Sequence, residues 1–332
     1  MIKQLATLAI CFLTFGSFAK IRIVDNNVIN AGNYSSLQKA IDESADGDTV
    51  FIRNSSINYE SITIGKKLTL IGEGIVQNIQ NHYIGSITLN EFTSGTKLIG
   101  IHCGSISSIA NQTISDLFID KSRLLNIYGN QTLAANRIPQ FVNLVIQRSI
   151  IDQNLGYGDK IINSFITNSF IGNINIGSVQ NDNLHIDHCS IGQYLGYGYL
   201  TISNSIIKDL TSSSIYPLVL NLYNNLINGI PDLSKSNASK NKEFDCESEL
   251  ELWSRSNYKA NGSYYSKVFN STSIAMSWAD DGGQVGPYGG QFPFVEGKLS
   301  NTPIVKDIII RNPRITSSSS LLNVELRANT VK

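Results

Sequence analysis

A degenerate repeat of about twenty residues constrains the fold of this chain more than any other feature. In each copy, two polar residues and a small polar residue lie between apolar positions, as in FIDKSRLL, VIQRSII, FITNSFI and TISNSII. The copies centre on Ser122, Ser149, Ser169, Cys189, Ser205 and Asn225, at intervals of 27, 20, 20, 16 and 20 residues. Ile, Val and Phe alternating with Thr, Ser and Asn are typical of β-strands. A coiled coil or a helical solenoid would need a different period.

A second feature repeats in phase with the first. The segments NLGYG at residues 154–158 and YLGYG at residues 194–198 lie 40 residues apart. Short strands that repeat with Gly or Asn turns, and without helices between them, predict a parallel β-solenoid. Its coils stack at about 4.8 Å, so the six central residues of the repeats form one ladder. Stacked hydroxyls and amides form hydrogen bonds with one another between coils, which gives the 35 Asn of the chain a structural role beside its 46 Ile.

A solenoid exposes strand edges at its ends and needs caps there. We expect a short amphipathic helix over residues 34–45, with Ser35 and Gln38 as a capping box. Its apolar stripe is Leu37, Ala40 and Ile41. The first strand is expected to begin at Thr49.

The C-terminal part of the chain loses the repeat. We expect loops over the last coil at residues 232–275 and a glycine-rich turn cluster at residues 282–290. Two final strands are predicted around residues 308–310 and 322–326. The predicted division is a signal peptide at 1–19, a β-helix domain at 20–300 and a C-terminal strand pair at 301–332.

The N-terminus is typical of a secretory signal peptide. Lys3 supplies a positive charge, residues 5–15 are apolar, and small residues at Ser17 and Ala19 form a cleavage site. A short buried helix is the alternative interpretation. No later stretch is long and apolar enough to span a bilayer. We therefore expect a protein that is secreted, periplasmic or at the cell surface after cleavage near Ala19.

The charge balance excludes two classes of partner. The 26 basic and 26 acidic residues cancel, so the chain lacks the basic footprint of a nucleic-acid binder and the polybasic patch of a membrane-surface protein. A neutral sugar polymer is the ligand that this balance discourages least, and the oligomeric state stays open. After cleavage three cysteines remain, an odd number that cannot form a closed disulfide framework. We expect Cys103 and Cys189 to be buried and Cys246 to be exposed.

Two segments carry a family resemblance. Residues 34–74, YSSLQKAIDESADGDTVFI followed by LTLIGEG, resemble the N-terminal segment of right-handed parallel β-helix proteins of the pectin lyase-like superfamily. Residues 280–294, DDGGQVGPYGGQFPF, resemble a segment that closes such helices in exported proteins of Bacteroides-like bacteria. The resemblance implies an all-β, right-handed parallel β-helix (β-solenoid) with a short N-terminal capping helix and an irregular C-terminal cap. Function does not follow, because esterases, lyases, hydrolases and non-enzymes share this fold.

Catalytic motifs of the superfamily are mostly missing. The Gln-Asp-Thr and Asp-Phe-Ile-Phe-Gly segments of pectin methylesterases are absent, and the only adjacent aspartates are Asp280 and Asp281. The strand HIDHC at residues 185–189 is similar to the Ile-Asp-His strand of pectate lyases, whose aspartate helps to hold calcium. This similarity makes Asp187 a candidate metal ligand and Asp187, His188 and Lys160 candidate catalytic residues.

Such a lyase needs further ligands and a base. Asp152 and Asp159 are the remaining candidate ligands, and Arg148 is an alternative base to Lys160. The competing interpretation is that Asp187 and His188 are polar turn positions of an ordinary coil. Equivalent turn positions in other coils are Asn168, Asn204 and Asn224.

Two tyrosines favour sugar binding. Tyr157 and Tyr197 occupy matching positions two coils apart, roughly 10 Å along the axis, close to the length of a disaccharide. Exposed tyrosines beside Asn suit sugar stacking and hydroxyl hydrogen bonding. The alternative is that these rings pack in the core or beside glycine turns.

Together these observations favour a non-catalytic exported protein that binds a polysaccharide or cell-surface glycan without a cofactor. The first alternative is a calcium-dependent, pectate-lyase-like polysaccharide lyase, with a glycoside hydrolase as the other enzymatic option. The second alternative is a structural or adhesin-like spacer.

Overall fold

The computed structural model describes twelve parts of the chain. They are residues 19–27, 33–75, 83–129, 141–176, 183–194, 199–210, 219–229, 236–243, 274–295, 297–298, 304–310 and 324–329. Tyr197, Cys246, most of residues 232–275 and all but the last residue of the predicted signal peptide lie outside these ranges.

The chain forms a parallel β-solenoid, as the repeat predicts. Sheet 1 has 11 strands whose order in space follows the chain, and its strands are parallel. They are Ile21–Val24, Thr49–Ile52, Thr69–Ile71, Lys97–Ile99, Phe118–Asp120, Val145–Gln147, Phe165–Thr167, His185–Asp187, Tyr199–Ser203, Val219–Tyr223 and Asn237–Ser239.

Sheet 2 is the second long wall of the solenoid and has 10 strands in the same spatial order. They are Ile62–Ile64, Tyr83–Leu89, His102–Ser108, Arg123–Tyr128, Ile150–Asp159, Phe170–Ile176, Ser190–Tyr194, Ile206–Leu210, Leu226–Ile227 and Lys242–Glu243. Sheet 3 is a short third wall of three strands, Ile114–Ser115, Phe141–Val142 and Ile161–Ile162.

The remaining described elements lie outside these walls. Strand Gly74–Ile75 pairs antiparallel with Gly297–Lys298, and strand Ile304–Ile310 pairs antiparallel with Val324–Asn329. Short 3-10 helices occur at Glu91–Thr93 and Ile274–Met276. Among the described residues, no helix has the length and apolar character needed to cross a membrane.

The interior is a stack of aliphatic side chains. The three-residue strands of sheet 1, from Thr69–Ile71 to His185–Asp187, each point the central residue inward, as in Ile146, Ile166 and Ile186, which are 0% exposed. Sheet 2 contributes further inward residues such as Ile151 and Ile171. One continuous apolar core therefore runs along the axis, and it accounts for the excess of Ile.

The N-terminal cap differs in detail from the sequence prediction. The helix spans only Leu37–Asp42, and its N-cap is Ser36, whose hydroxyl accepts a hydrogen bond from the Lys39 N–H. Ser35 is therefore not the cap, because the chain enters the helix one residue later than the capping-box pattern indicated. The predicted apolar stripe of Leu37, Ala40 and Ile41 is buried. A strand at Ile21–Val24 precedes Thr49–Ile52 and pairs with it, so the predicted first strand is the second.

The six central residues of the repeats form the predicted inner ladder, at the corner where sheet 1 turns into sheet 2. They are Ser122, Ser149, Ser169, Cys189, Ser205 and Asn225, all 0% exposed. Each side chain accepts a hydrogen bond from the backbone one coil earlier, as from Ser122 N–H to Ser149 Oγ at 3.2 Å. Another joins Ser205 N–H to Asn225 Oδ1 at 2.9 Å. Cys189 and Cys103 are buried free thiols, as predicted.

The residue before each ladder position makes the turn. These corner residues adopt the left-handed conformation, with φ between 46° and 64°, at Gly100, Lys121, Arg148, Asn168, His188, Asn204, Asn224 and Lys240. Asn reaches this region at little cost because its side chain bonds locally. The N–H of each corner residue from Gly100 to Asn224 also donates to the next coil, as from Asn168 to Asp187 O at 3.2 Å.

Residues 279–294, called the strap below, lie along the side of the solenoid. Near the start of the strap, Ala279 and Val285 pack in one apolar cluster with Ile206 and Leu226. Its end, Phe294, is buried in a second cluster with Ile150 of an earlier coil. The strap therefore runs back along the axis, against the direction in which the coils advance.

Candidate functional site

The candidate lyase residues Asp187 and His188 lie at the corner between sheets 1 and 2. His188 has φ 46°, close to the 49° of Asn168 and the 48° of Asn204 one coil to either side. Its N–H donates to Ser203 O at 3.2 Å, which is the same bond that the other corner residues make. His188 thus occupies a turn position that Asn fills in its neighbours.

Hydrogen bonds within the protein occupy both oxygens of the Asp187 carboxylate. Oδ2 accepts from His188 Nδ1 at 2.9 Å. Oδ1 accepts from the Ser203 hydroxyl at 2.7 Å and from Asn204 Nδ2 at 3.0 Å. Burial alone would raise the pKa of Asp187, but these bonds and the charge of His188 hold the pKa below its ordinary value.

The strap covers the His188 ring, which is 6% exposed. A Cβ added to Gly290 would lie 3.1 Å from the imidazole, so the glycine backbone lies directly against the ring. Asn168 Nδ2 fixes the strap on one side by donating to Pro287 O at 3.1 Å and to Gly289 O at 2.7 Å. On the other side Asn204 Oδ1 accepts from the Asp280 N–H at 3.0 Å.

The charge state of His188 reflects its acidic surroundings. Burial lowers the pKa of the imidazole, but the hydrogen bond to Asp187 and the negative charges of Asp187, Asp281 and Asp280 outweigh burial and raise the pKa above 6.5. The neighbouring Cys189 thiol is fully buried, and burial raises its pKa, so it has the properties of a structural thiol.

Three other candidate lyase residues, Asp152, Lys160 and Arg148, do not join Asp187, and the side chain of Asp159 lies outside the described part of the structure. Lys160 connects strand Ile150–Asp159 of sheet 2 to sheet 3, away from the sheet 1 corner. Asp152 pairs with Arg123 at 2.8 Å, and Arg148 pairs with Asp120 at 2.6 Å. In the part of the chain that the structure describes, no three His, Cys, Asp or Glu residues lie close enough to hold a metal ion.

Tyr157 is placed very differently, on the outer face of sheet 2, where its side chain is 53% exposed. Its hydroxyl donates to Asn126 Oδ1 at 3.0 Å and accepts from Asn154 Nδ2 at 3.0 Å. Its ring meets Tyr128 edge to face, with centroids 5.2 Å apart. The hydroxyl is anchored while much of the ring faces solvent, which is the arrangement that stacking on a sugar requires. The matching Tyr197 lies outside the described residues.

A row of uncharged polar side chains runs beside Tyr157 along the axis. We call it the amide row, and its members are in register on neighbouring strands: Ser86, Ser105, Asn126, Asn154, Asn173 and Gln193. Asn154 Nδ2 donates to Asn126 Oδ1 at 3.1 Å, and Asn173 Nδ2 donates to Asn154 Oδ1 at 3.1 Å. Adjacent members lie about 4.8 Å apart, the spacing of parallel strands.

The sequence contains a signal for this row that our interpretation of Asn as a corner residue missed. Asn126, Asn173 and Gln193 each follow an inner-ladder residue by four positions. Asn154 follows Ser149 by five, because the strand Ile150–Asp159 has a register shift before Asn154. A polar residue at a fixed distance beyond the corner therefore marks a second, outward-facing ladder.

A search of known proteins adds no assignment to this geometry. No protein-family model, no curated protein and no solved structure matches the chain.

Proposed function

We propose that this protein is exported and binds polysaccharide, without catalysis, on the outer face of sheet 2. The observation that carries the proposal is the exposed ring of Tyr157, fixed by two hydrogen bonds beside a row of uncharged amides. Aromatic rings supply stacking area for the apolar faces of sugars, and amides bond to sugar hydroxyls. Tyr157 and the amide row combine both kinds of contact on one flat, repeating surface.

The charge distribution on this face supports a neutral ligand. The amide row carries no charge from Ser86 to Gln193, and the next residue in register, Asp209, accepts a hydrogen bond from Gln193 Nε2 at 2.8 Å. The nearby guanidinium of Arg123 is held by both oxygens of Asp152, at 2.8 Å and 3.2 Å. A bidentate pair of this kind cancels its own charge and leaves no net field for a charged polymer.

Export and ancestry belong to the same proposal. The charged, apolar and small-residue segments of residues 1–19 support secretion to the periplasm, the cell surface or the medium. The likeness of residues 34–74 to the pectin lyase-like superfamily agrees with the parallel solenoid, whose architecture many unrelated functions share. N-terminal sequencing of the exported protein tests this part, and we expect it to begin at Lys20.

The lyase alternative has less geometric support. Asp187 uses both carboxylate oxygens within the protein, and the strap lies over the adjacent His188. A gain of ultraviolet absorbance on polygalacturonate that depends on calcium would favour a lyase over our proposal. If the protein neither cleaved nor bound a glycan, the interpretation as a structural spacer would remain.

Retention on a panel of immobilised polysaccharides tests the proposed function. Tyr157→Ala should weaken retention about tenfold, while Tyr157→Phe keeps the ring but loses the two hydrogen bonds that fix it and should lie between the alanine variant and the parent. Tyr223→Ala is the matched control, because Tyr223 is 38% exposed and lies on sheet 1. Equal loss in Tyr157→Ala and Tyr223→Ala, or no retention of the parent, would overturn the proposal.

A further inference from the structure

A second aromatic contact point lies on the same face as Tyr157, nearer the N-terminus. Tyr83 and His102 are half-buried and in register on neighbouring strands of sheet 2. Their rings meet edge to face, with centroids 5.1 Å apart. The arrangement matches the edge-to-face pair of Tyr128 and Tyr157 on the fourth and fifth strands of the same sheet.

Glycines explain how Tyr83 lies across the sheet. A Cβ added to Gly104 would be 2.0 Å from Gly85 O and 3.0 Å from the Tyr83 hydroxyl, so only glycine fits beneath that hydroxyl. A Cβ on Gly85 would likewise lie 2.5 Å from Ser61 Oγ. Gly85 and Gly104 therefore place no side chain on the sheet surface beside the amide row, and the Tyr83 side chain extends over their backbone.

The two aromatic contact points are three coils apart. Tyr83 lies on the second strand of sheet 2 and Tyr157 on the fifth. The two rings approach the amide row from opposite sides, because Tyr83 precedes Ser86 and Tyr157 follows Asn154 along their strands, and each hydroxyl lies close to the row. Three strand spacings amount to about 14 Å. Between these contact points the face presents Ser105 of the amide row and the neutralised Arg123–Asp152 pair, while Asn126 is 6% exposed and holds Ser105 and Tyr157 in place.

The repeat distance of this face suits a linear ligand. One coil advances about 4.8 Å along the axis, close to the length that one sugar residue adds to an extended chain. A chain lying parallel to the axis can therefore meet equivalent side chains at every sugar. A chain lying across the strands would cross the row once and reach only one of the two aromatic points.

We propose that a single extended, unbranched and uncharged glycan lies parallel to the solenoid axis, one sugar per coil, from Tyr83 to Tyr157. The inference rests on the proposed polysaccharide binding. It adds the orientation of the bound glycan, its minimum length and a second contact point on the protein. Four coils define four sugar sites. Tyr83 with His102 contacts one end of the tetrasaccharide, and Tyr157 contacts the other.

Titration calorimetry with cello-, manno- and xylo-oligosaccharides of two to six residues tests this arrangement. For the series that binds, affinity should rise at least about tenfold from the disaccharide to the tetrasaccharide and then level off. Tyr83→Ala should weaken tetrasaccharide binding about tenfold and disaccharide binding at Tyr157 little. Tyr83→Phe preserves the ring and should bind like the parent, which separates loss of contact from loss of folding.

A control and two contrary results complete the test. Phe165→Ala removes an exposed ring of sheet 1, 42% exposed, and should change nothing. The axial arrangement would be overturned if affinity did not depend on oligosaccharide length. It would also be overturned if Tyr83→Ala left the affinity unchanged while Tyr157→Ala abolished binding. Either result would leave the proposal of polysaccharide binding intact. If the parent binds neither oligosaccharide nor polysaccharide, both proposals fail.

Discussion

The inner-ladder residue at the corner of a coil, a serine in four of the six repeats, connects that coil to the one before it. Ser149 Oγ accepts the Ser122 N–H at 3.2 Å and donates to Gln147 O at 2.7 Å, and the side chain is 0% exposed. Both residues are fully buried, so removal of this acceptor leaves the Ser122 N–H without its partner. A buried donor without a partner costs about 1–3 kcal/mol.

Ser149→Ala should therefore lower the free energy of unfolding by about 1–3 kcal/mol. Ser149→Cys is the matched control, because Cys189 already occupies the equivalent position and its sulfur faces the Ser169 N–H. We expect the cysteine variant to lie between the parent and the alanine variant in a urea titration. Equal stability of the parent and the alanine variant would contradict the ladder's contribution.

His188 should make stability depend on pH. Because its pKa is raised above 6.5 in the folded chain, its contribution is fully present below pH 6.5 and is lost as the pH rises through the folded pKa. The pKa of Asp187 is lowered from 3.8, so its contribution is present above pH 3.8 and is lost as the pH falls through the folded pKa. The interaction of His188 with Asp187 therefore stabilises the fold most between pH 3.8 and pH 6.5.

Replacing His188 by the residue of the neighbouring corners tests that window. His188→Asn keeps the left-handed turn that Asn168 and Asn204 already make. The melting temperature of the parent, relative to this variant, should fall between pH 6 and pH 8.5. If the difference in melting temperature between the two proteins stayed constant over this pH range, titration of His188 would not contribute to stability.

The strap depends on glycines that lie against the solenoid. Gly290 has φ +70°, and an added Cβ would lie 3.1 Å from the His188 ring. Gly282 has φ +76°, but an added Cβ would meet nothing within 4 Å. Alanine at either position carries the same backbone strain, and only at Gly290 does it also press against the corner.

Gly290→Ala should therefore loosen the strap more than Gly282→Ala does. Hydrogen exchange is the suitable measurement, because the Gly286 N–H donates to Asn204 O at 2.9 Å and the Phe294 N–H donates to Pro287 O at 2.8 Å. We expect both amides to exchange several-fold faster in Gly290→Ala. Similar exchange in the two variants would mean that backbone strain alone, and not contact with His188, determines docking.

Elements built from local patterns could be predicted, and elements built from distant contacts could not. The repeat around Ser149 and Ser169 predicts strands, corner and ladder, because neighbouring coils contact each other at a fixed sequence spacing. The strap bonds Asn168 to Pro287, 119 residues away, and no local pattern records that contact. Tyr157 could be predicted as a candidate from its repeat, but its partner Asn126 depends on the register between coils.

The molecule as a whole is a stack in which each coil contacts mainly its neighbours. Ile166→Ala removes a fully buried side chain from the middle of that stack and should cost about 2–5 kcal/mol of unfolding free energy. Phe165→Ala, one residue away but 42% exposed, should cost much less. Thermal unfolding followed by circular dichroism distinguishes them, and equal losses would contradict an interior filled by the central residues of the three-residue strands.

The two long walls of the solenoid also differ in what they offer a partner. The outer face of sheet 1 carries exposed aromatic side chains such as Phe165 and Tyr223. The outer face of sheet 2 carries the amide row with Tyr157 and Tyr83, and its one described ion pair of Arg123 with Asp152 is neutral overall. Sheet 2 is therefore the wall that suits an uncharged polymer.

Oxidative footprinting of the tyrosines, with and without a bound polysaccharide, tests polysaccharide binding on sheet 2 most directly. The measurement reports which faces a bound polymer covers, and it needs no variant. We expect protection of Tyr157 and Tyr83 on sheet 2, while Tyr223 on sheet 1 is modified at the same rate in both samples. Protection of Tyr223 with Tyr157 unchanged, while the polymer remains bound, would contradict binding on sheet 2.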